Sequence, residues 1–219
     1  MRLKIIGNGT HDVINGVSRP GGVYTIAKYI RTPSYALYPT ATSFVKIEND
    51  MTHQWETVHK SVGMDKFPRS YWTHVSYLDM LDIDLRKMNS QFVSADLCNY
   101  QYMSPMILEE NLRCVDFLVI REEEYRTIQL YVPPGCAVLS RERDIINYRH
   151  PAKCEAITRF PNRWVVAENT IGAGDAFVAG FLNEMTSGKI DIFPKVDLKV
   201  IEECTATALA HLKAQNEKV

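Results

Sequence analysis

Hydrophobic positions along the chain alternate between the spacing of strands and the spacing of helices. Apolar or alternating runs predict strands at residues 3–6, 35–37, 43–47, 72–78, 91–95, 115–120, 128–132, 137–140 and 156–159. Helical spacing predicts helices at residues 23–30, 82–88, 104 onward, 174–185 and 197–213, and residues 53–60 are predicted as a connection or short helix. Because strands alternate with helices, the pattern predicts an α/β fold with a mostly parallel central sheet and helices on both faces.

The length of the chain and its lack of repeats or linkers favour one domain. Its 219 residues fall in the usual range of a single domain, and the sequence has no internal repeat, low-complexity tract or convincing linker. We therefore predict one domain over residues 1–219, with a small lid from about residues 35–47.

Charge and cysteine content narrow the classes of function. Lys and Arg total 25 and Asp and Glu total 26, so the net charge of −1 gives no general attraction to nucleic acid or to an anionic membrane. The five cysteines include no Cys-x-x-Cys pair, which favours free thiols over a metal site or a disulfide framework. No apolar stretch approaches the length of a membrane span or a signal peptide, so the expected location is the cytoplasm.

One segment carries the clearest chemical pattern. An apolar run at residues 164–166 leads into Asn-Thr-Ile-Gly-Ala-Gly-Asp at residues 169–175, which opens a predicted helix. Glycines let the backbone approach a bound group closely, and the start of a helix presents unpaired N–H groups and a positive dipole end. Gly172, Ala173 and Gly174 therefore form a candidate anion hole, and Asp175 is a candidate general base.

Two interpretations of this segment stand side by side. The structural one is a strand-to-helix junction with glycines for tight packing and an aspartate as a favourable first-turn charge. The chemical one is phosphoryl transfer to an alcohol, which needs both an anion hole and a base. A lone Gly-x-Gly would favour the first, whereas the whole string between a strand and a helix favours the second.

At residues 169–175 the sequence resembles the Asp-Thr-x-Gly-Ala-Gly-Asp signature of the ribokinase (PfkB-type) carbohydrate kinases. The resemblance implies a ribokinase-like fold with a β lid, and an ATP- and Mg²⁺-dependent kinase acting on a sugar, nucleoside or related alcohol. It assigns the base to Asp175 and the anion hole to Gly172, Ala173 and Gly174.

Other stretches follow the order of the same family, and the resemblance implies their roles. Asp12 and the pair Gly21-Gly22 match the residues that position the acceptor. Asn169, Thr170 and Gly135 match positions on the nucleotide side, and Glu124 matches the acid that organises the metal. Residues 94–96 match a strand in the middle of the chain that ends in aspartate.

The sequence also departs from that family. Asn169 replaces an aspartate, Arg121 replaces the asparagine linked to the metal, and Ile26 occupies the place of the asparagine after the di-glycine. These changes support an alternative function, a catalytically weak or inactive sugar- or nucleotide-binding protein.

The chain is also short for the family, so we expect a reduced lid. The competing hypothesis is a homodimer in which residues 35–47 of each subunit cover the other's site.

Several other residues receive structural interpretations. Tyr77 lies in a predicted strand and is interpreted as a core residue. Arg141 lies among charges of both signs and is interpreted as part of a solvated face. His11 lies beside Asp12 and is a weaker candidate for a substrate contact.

Overall fold

The fold is an extended sheet flanked by helices, as a computed structural model describes it for residues 2–14, 16–47, 53–57, 68–98, 103–142, 145–150, 157–161, 171–187 and 196–216. The strands are β1 Leu3–Ile14, β2 Val17–Gly22, β3 Tyr35–Ile47, β4 His53–Thr57, β5 Ser70–Ser76, β6 Ser90–Asp96, β7 Phe117–Arg121, β8 Ala137–Arg141, β9 Ile145–Arg149 and β10 Ile157–Pro161. The helices are α1 Val23–Tyr29, α2 Pro105–Leu112, α3 Glu122–Ile128, α4 Ala173–Ser187 and α5 Leu198–Asn216.

All of these strands belong to one sheet. Their order is β10-β9-β8-β7-β6-β5-β1-β3-β4, and β2 pairs with β1 off this path. The pairings β1–β3, β1–β5, β5–β6, β6–β7 and β7–β8 are parallel. Those of β2, β4, β9 and β10 with their neighbours are antiparallel. The predicted mostly parallel α/β sheet is confirmed.

Hydrophobic cores lie on both faces of the sheet. Along β7, Val119 belongs to one core cluster, while Leu118 and Ile120 belong to the other, as the two-residue period of a strand requires. The first cluster includes apolar residues of α1, α4 and α5, and the second includes Leu108 of α2 and Ile128 of α3. The sheet is therefore covered by helices on both faces, as predicted.

The first strand is longer than the sequence indicates. Predicted to end at residue 6, β1 continues to Ile14, with a register shift between Gly7 and Asn8 against β3. Residues 8–14 pair with β2 or β3, or with both, and their hydrogen bonds override the turn preference of Asn8 and Gly9. The two strands predicted at 35–37 and 43–47 are one strand, β3, and residues 53–57 form β4 rather than a connection or helix.

The structure also corrects two predictions further along the chain. Residues 128–132 are not a strand, because helix α3 extends to Ile128 and turns follow it. At the start of that helix, Glu124 accepts hydrogen bonds from the backbone N–H and the guanidinium of Arg121. The helix predicted at 82–88 is reduced to the 3₁₀ turn Leu85–Lys87, and another 3₁₀ turn, Leu78–Met80, precedes it. None of the described helices is long and apolar enough to cross a membrane.

Candidate active site

Helix α4 begins at the edge of the sheet where β5 and β6 end. Gly172 adopts a left-handed backbone conformation with φ of 75°, and its carbonyl accepts a hydrogen bond from the Ala176 amide at 2.9 Å. The amides at the start of a helix have no partner within the helix. The turn predicted as an anion hole therefore opens α4, and its role stays a prediction.

Asp175 is buried in the first turn of α4, with a side-chain oxygen, Oδ1, that accepts a hydrogen bond from the Tyr77 hydroxyl at 3.0 Å. Burial raises the pKa of Asp175 well above its ordinary value, and the negative charge of Asp96 raises it further. The Tyr77 hydrogen bond and the charge of Arg141 act in the opposite direction. Such an environment favours a carboxylate that takes up a proton readily, as a general base must.

Three buried carboxylates from different elements, Asp12 of β1, Asp96 of β6 and Asp175 of α4, form what we term the carboxylate cluster. The charges of Asp12 and Asp96 both raise the pKa of Asp175, so each lies within electrostatic reach of that carboxylate. Gly21 lies against Asp12, since a Cβ on this glycine would stand 2.2 Å from Asp12 Oδ2. The predicted acceptor-positioning residue Asp12, with Gly21 against it, therefore lies within electrostatic reach of the predicted base.

Tyr77 joins the cluster although the sequence suggested a core residue. Its backbone N–H donates to Asp96 Oδ1 at 2.6 Å, and its ring lies against Gly22, where a Cβ would be 3.3 Å from Tyr77 Cε2. The hydroxyl reaches Asp175 from the same ring. No sequence signal distinguishes this tyrosine from its aromatic neighbours in β5.

Arg141 also points into the site rather than onto a solvated face. A Cβ on Gly174 would lie 3.2 Å from Arg141 Nη2, and the guanidinium carbon is 5.0 Å from the centre of the Phe177 ring. Burial lowers the pKa of Arg141, and the negative charges of Glu124, Asp96 and Asp175 oppose that effect only in part.

Alternation along β8 could have revealed this orientation. The preceding residue, Ser140, donates to Glu122 on the other face of the sheet. Arg141 must then point to the face that carries α4.

A histidine on α5 holds the segment in front of the turn. His211 Nε2 is 2.8 Å from the Ile171 carbonyl oxygen, and its Nδ1 is 3.2 Å from the Tyr29 hydroxyl. Gln215 Nε2 donates to the same carbonyl at 3.0 Å. Helix α5 thus fixes the approach to the candidate anion hole, a contact that the sequence did not indicate.

The predicted nucleotide and metal residues are less closely gathered. Glu124 Oε1 accepts from Arg121 Nη2 at 2.5 Å, and Oε2 accepts from the Arg121 backbone amide at 2.9 Å. Gly135 lies in an exposed turn, and a Cβ there would meet nothing within 4 Å. Asn169 and Thr170 lie outside the described residues.

The predicted magnesium site does not fit the residues that the structure describes. Both oxygens of Glu124 already accept hydrogen bonds from Arg121, with the guanidinium placed against Oε1. Within the described ranges no group of three His, Cys, Asp or Glu side chains is arranged to hold a metal ion. The role of Glu124 as a metal residue stays a prediction, and its observed role is to cap α3.

Comparison with solved structures defines the class of fold. The chain has the ribokinase-like α/β fold, and the resemblance found at residues 169–175 is confirmed at this level. A nucleoside kinase of Methanocaldococcus jannaschii, described as an archaeal member of the ribokinase family, has a TM-score of 0.70 at 15% identity, covering 98% of this chain and 93% of that chain.

Two further structures extend this likeness. An aminoimidazole riboside kinase of Salmonella enterica, solved with aminoimidazole riboside and an ATP analogue, has a TM-score of 0.67 at 15% identity, covering 95% of this chain and 91% of that chain. A pyrophosphate-dependent kinase in the ribokinase family, solved with a pyrophosphate analogue and myo-inositol, has a TM-score of 0.63 at 14% identity, covering 96% and 95%. No family model and no curated protein sequence matches the chain.

Proposed function

We propose that this protein is an ATP-dependent phosphotransferase that acts on a hydroxyl group of a sugar, nucleoside or related small alcohol. The observation that carries the proposal is the placement of Asp175, buried beside the glycine turn that opens α4. The ribokinase-like fold supports it, because the structures that share this fold include kinases of sugars and nucleosides.

The proposed reaction uses the site as follows. Asp175 accepts the proton of the acceptor hydroxyl, and the acceptor oxygen forms a bond to the terminal phosphorus of ATP while the bond to the ADP oxygen breaks. The amides of residues 172–174 stabilise the negative charge that develops on the transferred phosphoryl group. Asp12 and the pair Gly21-Gly22 position the acceptor beside Asp175, since glycines let the ring of the acceptor approach the backbone.

Asn169, Thr170 and Gly135 are proposed to contact the nucleotide. A magnesium ion would neutralise phosphate charge. Both oxygens of Glu124 accept hydrogen bonds from Arg121, so the reaction is described without assigning a step to the metal.

The test is a product assay with a matched variant. ADP or phosphorylated product is measured with a panel of sugars and nucleosides, using ATP and, separately, pyrophosphate as donors. We expect acceptor-dependent turnover that falls by about 10²–10⁴-fold in Asp175→Asn, which keeps the shape of the side chain and removes the base. Failure of every acceptor and donor, or equal rates for the two proteins, would refute the proposal.

The Arg121–Glu124 pair favours a second function, a ribokinase-like binder that is weak or inactive as a catalyst. Such a binder would be stabilised by ATP or by a sugar without turnover, by about 2.7 kcal/mol at 100 times the dissociation constant. Thermal shift measurements beside the product assay separate the two functions.

A further inference from the structure

We propose that Tyr77 is a positioning residue of this site, whose hydroxyl fixes the orientation of the Asp175 carboxylate while Asp96 holds Tyr77 in place. The inference rests on the proposed function for its catalytic meaning. Its structural part concerns only the contacts among these three residues.

The backbone of Tyr77 gives the first indication. With φ of 58° and ψ of 50°, it is the one residue other than glycine with positive φ among those that the structure describes. This left-handed conformation is unfavourable for an aromatic residue, whereas glycine adopts it at little cost in free energy. Strained residues of this kind persist where the surrounding structure enforces them, and they cluster at functional sites.

The surroundings of Asp96 show what enforces the strain. Its Oδ1 accepts the Tyr77 backbone N–H at 2.6 Å, and Ser76 Oγ donates to its Oδ2 at 3.3 Å. His74 Nε2 lies 3.2 Å from the same Oδ2, while its Nδ1 lies 2.9 Å from Ser94 Oγ. The carboxylate is therefore anchored from β5 and held between that strand and Tyr77.

The strained backbone places the Tyr77 hydroxyl against Asp175. Tyr77 Oη donates to Asp175 Oδ1 at 3.0 Å, which leaves Oδ2 of the base for an acceptor proton. The described charged groups with the largest effects on the pKa of Asp175 are Asp96 of β6, Asp12 of β1 and Arg141 of β8. The two negative charges oppose ionisation of Asp175. The Tyr77 hydrogen bond acts against them, because a donor to the carboxylate favours the ionised form that a base needs.

The experiment titrates the Asp175 carboxyl directly. The protein is labelled with [γ-¹³C]aspartate, its carboxyl resonances are followed by NMR over pH, and Asp175→Asn assigns the resonance. In Tyr77→Phe, which keeps the ring and removes the donor, we expect the Asp175 midpoint to rise by about one pH unit. Tyr148→Phe, which removes another buried phenol hydroxyl on β9, should leave the midpoint unchanged.

A nearly isosteric replacement provides a second test should the phenylalanine variant fold poorly. Tyr77→3-fluorotyrosine makes the hydroxyl a stronger donor, so the Asp175 midpoint should fall rather than rise. A midpoint equal to that of the unmodified protein in either Tyr77 variant overturns the proposal.

The rate assay then links the contact to catalysis. As the pKa of Asp175 rises in Tyr77→Phe, a smaller fraction is ionised at a given pH, so the acid limb of kcat/KM moves to higher pH by the same amount. A residue that merely supports the fold would lower the rate without moving the limb, and that result overturns the catalytic part.

The titration needs no substrate. If it shifts as expected while no acceptor is phosphorylated, the proposed function fails and the Tyr77 contact stands.

Discussion

Two buried acidic groups, each in the first turn of a helix, have pKa values shifted in opposite directions. Glu122, at the start of α3, accepts hydrogen bonds from Ser140, Asn147 and Arg149, a set that we term the Glu122 cluster. Burial alone would raise the pKa of Glu122, but these donors bring it below its ordinary value. Asp175 is also buried, yet it shares its cluster with two other carboxylates, and its pKa is well above normal.

The difference separates a structural acid, Glu122, from the proposed catalytic acid, Asp175. The oxygens of Glu122 are matched by donors and by a guanidinium, so its charge helps to hold α3, β8 and β9 together. The carboxylate cluster gathers like charges, which destabilises the folded protein and is expected only where chemistry needs it. Burial alone does not mark a candidate catalytic acid, whereas burial together with unfavourable charge is the combination found at the proposed base.

The largest effect on stability should come from breaking the Glu122 cluster. Glu122→Ala leaves the Arg149 guanidinium, whose side chain is only 16% exposed, without its carboxylate. We expect the free energy of unfolding to fall by about 3–5 kcal/mol, measured by urea denaturation. Glu109→Ala removes an exposed ion pair with Arg113 and should cost at most about 1 kcal/mol. Equal losses in the two variants would contradict the structural role of Glu122.

A smaller effect of opposite sign is expected at Asp175. Because its folded pKa is raised, ionising it costs stability as pH rises from its ordinary value of 3.8 through the folded pKa. Asp175→Asn should therefore raise the melting temperature at pH 7 by about 2–4 °C, and this gain should vanish below pH 3.8.

Glu122→Gln provides the mirror image. The folded pKa of Glu122 is lowered from 4.5, so its carboxylate stabilises the protein above that value, and this contribution is lost as pH falls through the folded pKa. Between pH 3 and 8, the melting temperature relative to the unmodified protein should therefore rise with pH for Asp175→Asn and fall with pH for Glu122→Gln. The same pH dependence of the melting temperature in both variants would contradict the opposite pKa shifts of Asp175 and Glu122.

The sequence predicted the parts of this site that are local. Asp175 and its glycine turn occupy adjacent positions, so their pattern was visible without the fold. Tyr77 was missed because its role depends on a left-handed backbone, which an aromatic residue does not signal, and on Asp96, which is distant in the chain. The strand Ile145–Arg149 was missed because its hydrogen bonds come from the antiparallel neighbours β8 and β10.

Removing the positive group beside the carboxylate cluster should give a modest shift. The charge of Arg141 lowers the pKa of Asp175, so Arg141→Gln should raise the Asp175 midpoint in the NMR titration. We expect about half a pH unit, less than for Tyr77→Phe, because Arg141 acts on the pKa of Asp175 through its charge, whereas Tyr77 donates a hydrogen bond to the carboxylate. Arg113→Gln, an exposed replacement on the other side of the sheet, is the control. A fall of the midpoint in Arg141→Gln would contradict the assigned orientation.

The smallest effect on stability is expected outside both clusters, at Gly135. A Cβ there meets nothing within 4 Å, so Gly135→Ala should change the free energy of unfolding by no more than about 0.5 kcal/mol. Gly180→Ala is the matched contrast, since its Cβ would lie 2.6 Å from Cys204 Cα on α5, and it should cost about 1–3 kcal/mol. If Gly135 contacts the nucleotide as proposed, Gly135→Ala weakens ATP binding in calorimetry while the melting temperature stays constant. Unchanged ATP affinity would remove Gly135 from the nucleotide site and leave the chemistry at Asp175 untouched.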